Sequence, residues 1–244
     1  MDRSCSAEVE LSFLESLVEA ARLLFTSYQA LWSVIGLTLQ VTGTALAISA
    51  VIGIPFGAAI GLMRFTGRRL LVAVLYTGMG LPPVVVGLAV YLLFSRSGML
   101  GGLGWLFTPT AMIVAQVIIA FPLVAGLTMA GIEAVDPDLR PQVRSLGASN
   151  VQVVRVMLAE ARGGVLASIL AGFGGIISEV GAAMLVGGNI AGQTRVLSTA
   201  IVLETRRGEF ALAVAMGGIL LSLAFGVNAL LLNLDRRSIW RTRR

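Results

Sequence analysis

The sequence contains no lysine and no histidine, and its only cysteine is Cys5. Because a phosphate-binding G-x-x-x-x-G-K-[ST] loop needs a lysine, this chain is not itself a P-loop ATPase. The absence of histidine excludes His-based catalytic triads and Cys/His zinc sites, and one cysteine cannot form a disulfide within the chain. Counting does not exclude catalysis by paired carboxylates, but the 13 acidic residues cluster in loops. We therefore expect no catalytic residues, no metal site and no cofactor in this chain.

Charged residues are also scarce, at 13% of the 244 residues, whereas hydrophobic residues make up 57%. Soluble domains carry about 25% charged residues. The composition, with a mean hydropathy of +0.90, is therefore typical of a membrane protein. The net charge of +5 rests on arginines, which suit a surface beside anionic lipid. No basic–aromatic tract points to nucleic-acid binding.

Long uncharged runs predict an all-α membrane protein with about five transmembrane helices, because about 20 apolar residues are needed to cross a bilayer. Before the first run, Glu10 to Phe25 has an amphipathic pattern and is predicted to be an interfacial helix. The chain thus divides into an amphipathic segment (1–35), a transmembrane domain (36–235) and a basic tail (236–244). The predicted spans are approximately residues 37–63, 70–94, 107–132, 163–187 and 210–234.

Two of these spans contain unusual residues. Pro82 and Pro83 must interrupt the backbone hydrogen bonds of the second span and bend it. Glu179, in the fourth span, is the only ionisable residue inside a predicted span, and such residues are candidates for function. The fourth span also predicts close helix packing, because small residues repeat every four positions at Ala167, Ala171 and Gly175.

Residues 133–162 are the only long polar stretch between two spans, and they predict two short helices joined by a glycine turn. Asp136, followed by proline, is typical of a helix start, and Gly147 suits the left-handed position after a helix. Ser149, with Gln152 three residues later, forms the capping-box pattern of a second, amphipathic helix. We expect this helix pair to be bound by something outside the bilayer.

The arginines predict the orientation of the chain. With the N-terminus outside, the inner segments 64–69, 133–162 and 235–244 carry twelve arginines and the outer segments carry six. The positive-inside rule therefore favours an external N-terminus and a cytoplasmic C-terminus. Residues 133–162 would then be cytoplasmic.

A cytoplasmic helix–glycine–helix loop of this kind resembles the EAA loop of ABC importer permeases. Aligned on Gly147, residues 141–143 (Pro-Gln-Val) replace EAA, and residues 157–160 (Met-Leu-Ala-Glu) replace the family's apolar-x-Leu-Pro. Further along, S-E-V-G-A (178–182) and G-N-I-x-G-x-T-R-x-L-x-T-A-I (188–201) are similar to the molybdate/tungstate branch, and look most like tungstate-type permeases. L-P-P-V-V-V-G-L and residues 107–128 also fit this branch, so the resemblance covers roughly residues 30–235.

The resemblance implies a type I ABC importer permease in the cell membrane, importing tungstate or a related tetrahedral oxyanion. Molybdate, sulfate and phosphate remain alternatives, because all four anions share one shape. The implied partners are a second copy of the chain, two ATP-binding subunits and an extracytoplasmic substrate-binding protein. ATP and Mg²⁺ would be bound by the ATPase subunits.

The resemblance also implies roles for individual residues. The second loop helix would sit in a groove of the ATPase, although it is alternatively a helix that rests on its own bundle or on lipid headgroups. A dianion would be repelled by an ionised Glu179, so that residue is expected to serve structure or a gate, with Ser178 as a neutral donor. The implied coupling residues are Arg144, Gly147, Ala148, Ser149, Val151, Val154, Arg155 and Leu158; the pathway or gate residues are Pro82, Pro83, Ser178, Glu179 and Gly181; the outer-loop residues facing the binding protein or the anion are Asn189, Thr194 and Arg195.

Two rivals remain at this stage. A secondary transporter or channel is one, although the spans lack paired intramembrane charges and repeated halves. A membrane scaffold that transports nothing is the other, and the prolines and Glu179 inside the spans argue against it. For the proline pair and for the outer loop, an ordinary kink and an ordinary exposed loop are the alternatives.

Overall fold

The computed structural model describes residues 28–242, and every regular element in that range is helical. The interfacial helix predicted for Glu10 to Phe25 lies outside the described residues, and the proposed domain boundaries stay predictions. A single 3-10 turn, Gly101–Leu103, joins the third and fourth helices. In chain order the α-helices are α1 (Tyr28–Leu62), α2 (Arg68–Met79), α3 (Pro83–Phe94), α4 (Pro109–Glu133), α5 (Leu139–Ser145), α6 (Asn150–Glu160), α7 (Arg162–Ile177), α8 (Gly181–Gly187), α9 (Leu197–Arg207) and α10 (Phe210–Thr242).

The membrane-spanning capacity of these helices agrees with the predicted fold class. Helices α1, α4 and α10 are each long and apolar enough to cross a bilayer. The number rises to at most five if each of two bent pairs is counted as one span: α2 with α3, at an angle of 100°, and α6 with α7, at 70°. The predicted all-α membrane fold is confirmed, with three to five candidate spans.

Helix α4 is the centre of the bundle, and it packs against α1, α2, α3, α7 and α8. Its contact with α1 depends on Gly53, Gly57 and Gly61, which repeat every four residues and face α4. A Cβ atom at Gly57 would lie 2.2 Å from the carbonyl oxygen of Ala125. Because no larger residue fits at that distance, the two backbones approach as closely as helices can.

Helix α7 also packs closely on α4, through a stripe of small residues that only partly matches the predicted one. A Cβ atom at Gly164 would lie 2.6 Å from the Cα of Gly131. One turn later, the buried hydroxyls of Ser168 and Thr128 are 3.0 Å apart. Ala167, in the predicted stripe, is exposed. Gly175 of the predicted stripe does face α4, since a Cβ atom there would lie 2.9 Å from Cδ1 of Leu123. The predicted close packing is therefore present, but the closest approach to α4 lies along Gly164 and Ser168.

The fourth predicted span, residues 163–187, is wrong as a single helix. Helix α7 ends at Ile177 and α8 begins at Gly181, with three residues between them. No proline marks this interruption, which is why hydropathy alone predicted continuity. The last span agrees with the prediction, since the part of α10 that is apolar enough to cross a bilayer is Phe210–Asn233. The helix itself continues through most of the basic segment assigned to the tail.

Candidate functional site

Two interrupted helices meet inside the bundle, and this meeting point contains all the predicted gate residues. The chain turns at Gly80–Pro82 between α2 and α3, and at Ser178–Val180 between α7 and α8. Pro82 occupies the N-cap of α3 in an extended conformation, and Pro83 is the first helical residue. Proline suits that position because its missing N–H would have no partner there. The predicted kink is therefore a full break.

Helices α3 and α8, which follow the two breaks, pack directly on each other. A Cβ atom at Gly87 would lie 2.6 Å from the Cα of Ala182, and one at Gly181 would lie 2.5 Å from Cγ2 of Val84. Glycine is thus required on both sides of the contact. The arrangement brings Pro82, Pro83 and Gly181 into one region, and their role in a pathway or gate stays a prediction.

Glu179 has a defined structural partner at the second break. Its Oε1 accepts a hydrogen bond of 2.9 Å from the backbone N–H of Ala182, in the first turn of α8. Its own carbonyl oxygen accepts a bond of 3.0 Å from the hydroxyl of Ser198 in α9. A carboxylate at this position satisfies one of the free N–H groups of a helix start and interacts favourably with the helix dipole. The half-buried Glu179 therefore caps α8.

Ser178, beside it, is exposed at the break, and its hydroxyl donates to the carbonyl oxygen of Gly174 at 3.0 Å. Nearby, Val84, Val85 and Leu88 give α3 an exposed apolar face. The region thus combines a neutral hydroxyl, free ends of two helices and apolar side chains, and its one carboxylate is engaged by a backbone donor.

The segment 188–195, between α8 and α9, is folded more tightly than an open loop. Thr194 is fully buried; its hydroxyl donates to the carbonyl of Gly187 and accepts from the N–H of Ile190. Thr194 therefore does not lie on the outer surface, and its predicted contact with a binding protein or an anion is not supported by its position. The burial follows from its hydrogen bonds, which close the turn after α8.

Asn189 and Arg195 remain partly accessible. Asn189 has a φ of 50°, in the left-handed region, and its side-chain amide donates to the carbonyl of Thr199 at 3.4 Å. Arg195 donates to the carbonyl of Asn189 at 3.4 Å and lines a cavity of about 250 Å³ together with Gln40 of α1. Both residues are half-buried, and their contact with an anion or a binding protein stays a prediction.

The polar stretch 133–162 forms the predicted pair of short helices. Gly147 has a φ of 82° and ends α5, as expected for a left-handed residue. Ser149 accepts from the N–H of Gln152 at 3.4 Å, and its own N–H donates to the Gln152 side chain at 2.7 Å. The capping box is confirmed. The start of α5 was misplaced by two residues: Asp138 is its N-cap, while Asp136 accepts from the Asp138 N–H in the preceding turn.

Helix α6 has one face inside the bundle and one outside. Val153 and Met157 are buried against Ala58, Leu62 and Ile132 at the ends of α1 and α4. The opposite side presents Val151, Val154 and Arg155 to the exterior, with Val151 61% exposed. Leu158 and Ala148 are half-buried against the inner cluster, whereas Arg144 is exposed and donates to the Asn150 side chain at 3.3 Å. Helix α6 is thus fixed to the bundle yet offers a mixed apolar and basic face.

The family model that describes binding-protein-dependent transport system inner membrane components matches residues 53–240. The chain belongs to this family. A probable anion ABC transporter permease of Haloferax volcanii is 42% identical over 203 residues, which is 81% of this chain and 88% of that protein. The tungstate uptake system permease TupB of Peptoclostridium acidaminophilum is 38% identical over 216 residues, covering 88% and 95%.

The fold of the permease also matches a solved transporter. A bacterial alginate ABC transporter, solved with a periplasmic protein carrying an alginate pentasaccharide, aligns with a TM-score of 0.75 over 93% of this chain and 88% of that one. The sequence identity is 18%, so the likeness concerns the fold. The predicted type I ABC importer permease architecture is confirmed.

Sequence reasoning missed one polar residue of the permease near the second break. Gln116 of α4 is buried, and its amide nitrogen donates to the carbonyl of Ile176 at 3.4 Å, within the last turn of α7. Its Oε1 is also buried, and no partner for it is found among the described residues. A lone amide in an otherwise uncharged span was the available signal, because buried polar groups normally require partners.

Proposed function

We propose that this permease imports tungstate or a closely related tetrahedral oxyanion, with ATP hydrolysed on a partner subunit. The observation that carries the proposal is the 38% identity to a tungstate uptake permease over nearly the whole of both chains. Molybdate is the nearest alternative, since molybdenum transport permeases such as that of Escherichia coli are 29% identical over 188 residues. The chemistry at the two helix breaks supports an anion.

The meeting point of α3 and α8 is the proposed gate. Glu179, engaged with the Ala182 N–H, holds the start of α8 against α3. Backbone N–H groups near the breaks would supply neutral donors, which suit an anion that must bind weakly and leave. The Ser178 hydroxyl would join them only by releasing the carbonyl of Gly174. Specific recognition would then belong to a separate substrate-binding protein, met by the segment that contains Asn189 and Arg195.

Coupling to ATP is proposed to occur through α6. The exposed face with Val151, Val154 and Arg155 would enter a groove of the ATPase, where apolar side chains fill the cleft and the guanidinium pairs with acids at its rim. The buried Val153 and Met157 would carry the movement to the ends of α1 and α4. When two ATPases close on ATP, the paired permeases of a homodimer would open outward, giving alternating access.

This coupling surface has a direct test. Val154→Asp places a charge on the exposed face of α6 without disturbing the inner cluster, and should abolish co-purification of the ATPase and uptake together. Met99→Asp, at a side chain 92% exposed in the loop after α3, is the matched control and should affect neither. Normal ATPase association in Val154→Asp would rule out this face as the docking surface.

The proposed orientation, with residues 133–162 in the cytoplasm, can be tested because the chain has one cysteine. In a Cys5→Ser background, Met99→Cys should react in intact cells with a membrane-impermeant thiol reagent. Leu146→Cys, 87% exposed beside Gly147, should react only after the cells are opened. The reverse labelling pattern would invert the orientation.

The substrate is tested by reconstituting the permease with its ATPase and binding protein in proteoliposomes. Accumulation of tungstate would be followed by mass spectrometry of the metal, in the presence of a tenfold excess of molybdate, sulfate or phosphate. We expect tungstate uptake that molybdate reduces most and phosphate least. Uptake of sulfate or phosphate in preference to tungstate would assign the permease to another anion.

A further inference from the structure

Two adjoining cavities lie where the C-terminal end of α1 meets α5. The larger, of about 610 Å³, is lined by Leu62, Met63, Arg64, Arg140, Pro141 and Arg144. The smaller, of about 390 Å³, shares Arg64 and Arg140 with it and is also lined by Arg68 and Glu133. We call the larger cavity the arginine pocket. None of the proposed gate residues lines it.

The charge of this region is unbalanced. Three arginines line the arginine pocket, and no acidic residue does. In the smaller cavity the one carboxylate, that of Glu133, already forms an ion pair with Arg68. Three guanidinium groups therefore surround one space with no negative charge in its lining.

Internal hydrogen bonds account for only part of these guanidinium groups. Arg144 donates to the Asn150 side chain at 3.3 Å. Arg140 donates to the carbonyl of Leu62, and Arg68 of the smaller cavity donates to the carbonyl of Ile60 at 3.0 Å. These bonds satisfy carbonyl groups that the end of α1 leaves free. Nε of Arg140 is nevertheless buried and finds no acceptor within residues 28–242. Arg64 is exposed and is likewise without a hydrogen bond or an ion pair in that range.

We propose that the arginine pocket binds a tetrahedral oxyanion group, supplied either by a free anion or by the phosphate of an anionic lipid headgroup. Guanidinium forks match the oxygens of such a group and bind it through paired N–H donors. Leu62, Met63 and Pro141 contribute apolar walls, which reduce the competition from water. The site is separate from the transport pathway proposed above and does not depend on which anion is imported.

An anion in this pocket would connect three elements: the end of α1, the turn that carries Arg64, and α5 through Arg140 and Arg144. Because α5 leads through Gly147 directly into α6, occupancy would stiffen the support of the proposed coupling helix. The pocket is thus placed to let an anion on this side of the membrane regulate transport.

The test uses the assembled transporter in lipid nanodiscs and compares Arg64→Gln and Arg140→Gln with Arg69→Gln. Arg69 is exposed in the first turn of α2 and shares a third cavity with Arg64, but it lines neither of the two cavities described above. Its substitution therefore removes the same charge outside the arginine pocket. Arg64 makes no internal hydrogen bond, which keeps the result interpretable if Arg140→Gln proves unstable. Binding of tungstate and of inorganic phosphate is measured by calorimetry in zwitterionic lipid, and retention of phosphatidylglycerol by native mass spectrometry.

Loss of one exposed guanidinium should weaken binding about three- to tenfold. If Arg64→Gln weakens inorganic anion binding while Arg69→Gln does not, the ligand is a free oxyanion. If only phosphatidylglycerol retention falls in the same variant, the ligand is a lipid headgroup. The proposal is overturned if both arginine-pocket variants match Arg69→Gln in both measurements, including the case in which their only defect is loss of the ATPase.

Discussion

The carboxylate of Glu179 gives the sharpest prediction, because two substitutions can separate its role as a helix cap from the effect of its negative charge. Glu179→Ala removes the acceptor that lies 2.9 Å from the N–H of Ala182, a residue with no exposed surface. Loss of a helix cap costs about 1 kcal/mol, and a buried N–H left without an acceptor costs about 1–3 kcal/mol. Since Glu179 is half-buried and water has some access, we expect a cost of about 1–2 kcal/mol.

A cost of this size would raise the population of frayed α8 by a factor of about 5–30. Hydrogen exchange of the amides in α8, measured by mass spectrometry, should accelerate by a similar factor in Glu179→Ala, and anion uptake should fall. Glu179→Gln keeps an oxygen acceptor without the charge, so it should exchange almost like the wild type and retain most uptake. Equal damage from both substitutions would refute capping as the role of Glu179 and make its charge essential.

Three further substitutions test other contacts. Gly87→Val should separate α3 from α8, because its Cβ would meet the Cα of Ala182 at 2.6 Å; a cost of about 1–3 kcal/mol should lower the melting temperature of the purified permease. Gly102→Val, in open space, should leave that temperature unchanged. Ser149→Ala should cost about 1 kcal/mol through loss of the capping box and weaken ATPase co-purification, and normal co-purification would show that the start of α6 is not needed for docking. Gly147→Val should strain the left-handed turn and reduce uptake by disturbing α6, whereas wild-type uptake would show that this turn is dispensable.

The local features of the polar stretch 133–162 could be predicted from the sequence, because they depend only on residues close by in the chain. The left-handed Gly147 and the Ser149–Gln152 capping box need only the residues around them. The start of α5 was harder to predict from the sequence, because both Asp136 and Asp138 are able to begin a helix. The structure uses Asp138 as the N-cap and Asp136 to hold the preceding turn.

The two helix breaks show the limit of such reasoning. Pro82 and Pro83 predict the first break, between α2 and α3, since proline cannot continue the hydrogen bonds of a helix. The break before α8 has no proline, and it depends on contacts between distant parts of the chain. Gly181 must fit against Val84, and the carbonyl of Glu179 accepts from Ser198. Hydropathy does not encode either contact.

Burial of single residues was the least predictable property. Thr194 lies in a polar segment between helices, yet hydrogen bonds to Gly187 and Ile190 hold it inside the chain. In α7 the period of four between small residues was visible, but the rotation of the helix towards α4 is set by Gly131 and Thr128 of the neighbour. A single helix sequence carries no information on that rotation.

The dependence of transport on a partner ATPase tests the central claim most directly. Tungsten accumulation would be measured in proteoliposomes that contain the permease and binding protein with either the intact ATPase or a variant lacking its nucleotide-binding lysine. The account predicts accumulation against a gradient with the intact ATPase and ATP, and none with the variant. Equal accumulation with both would contradict it and identify the permease as a secondary transporter or channel.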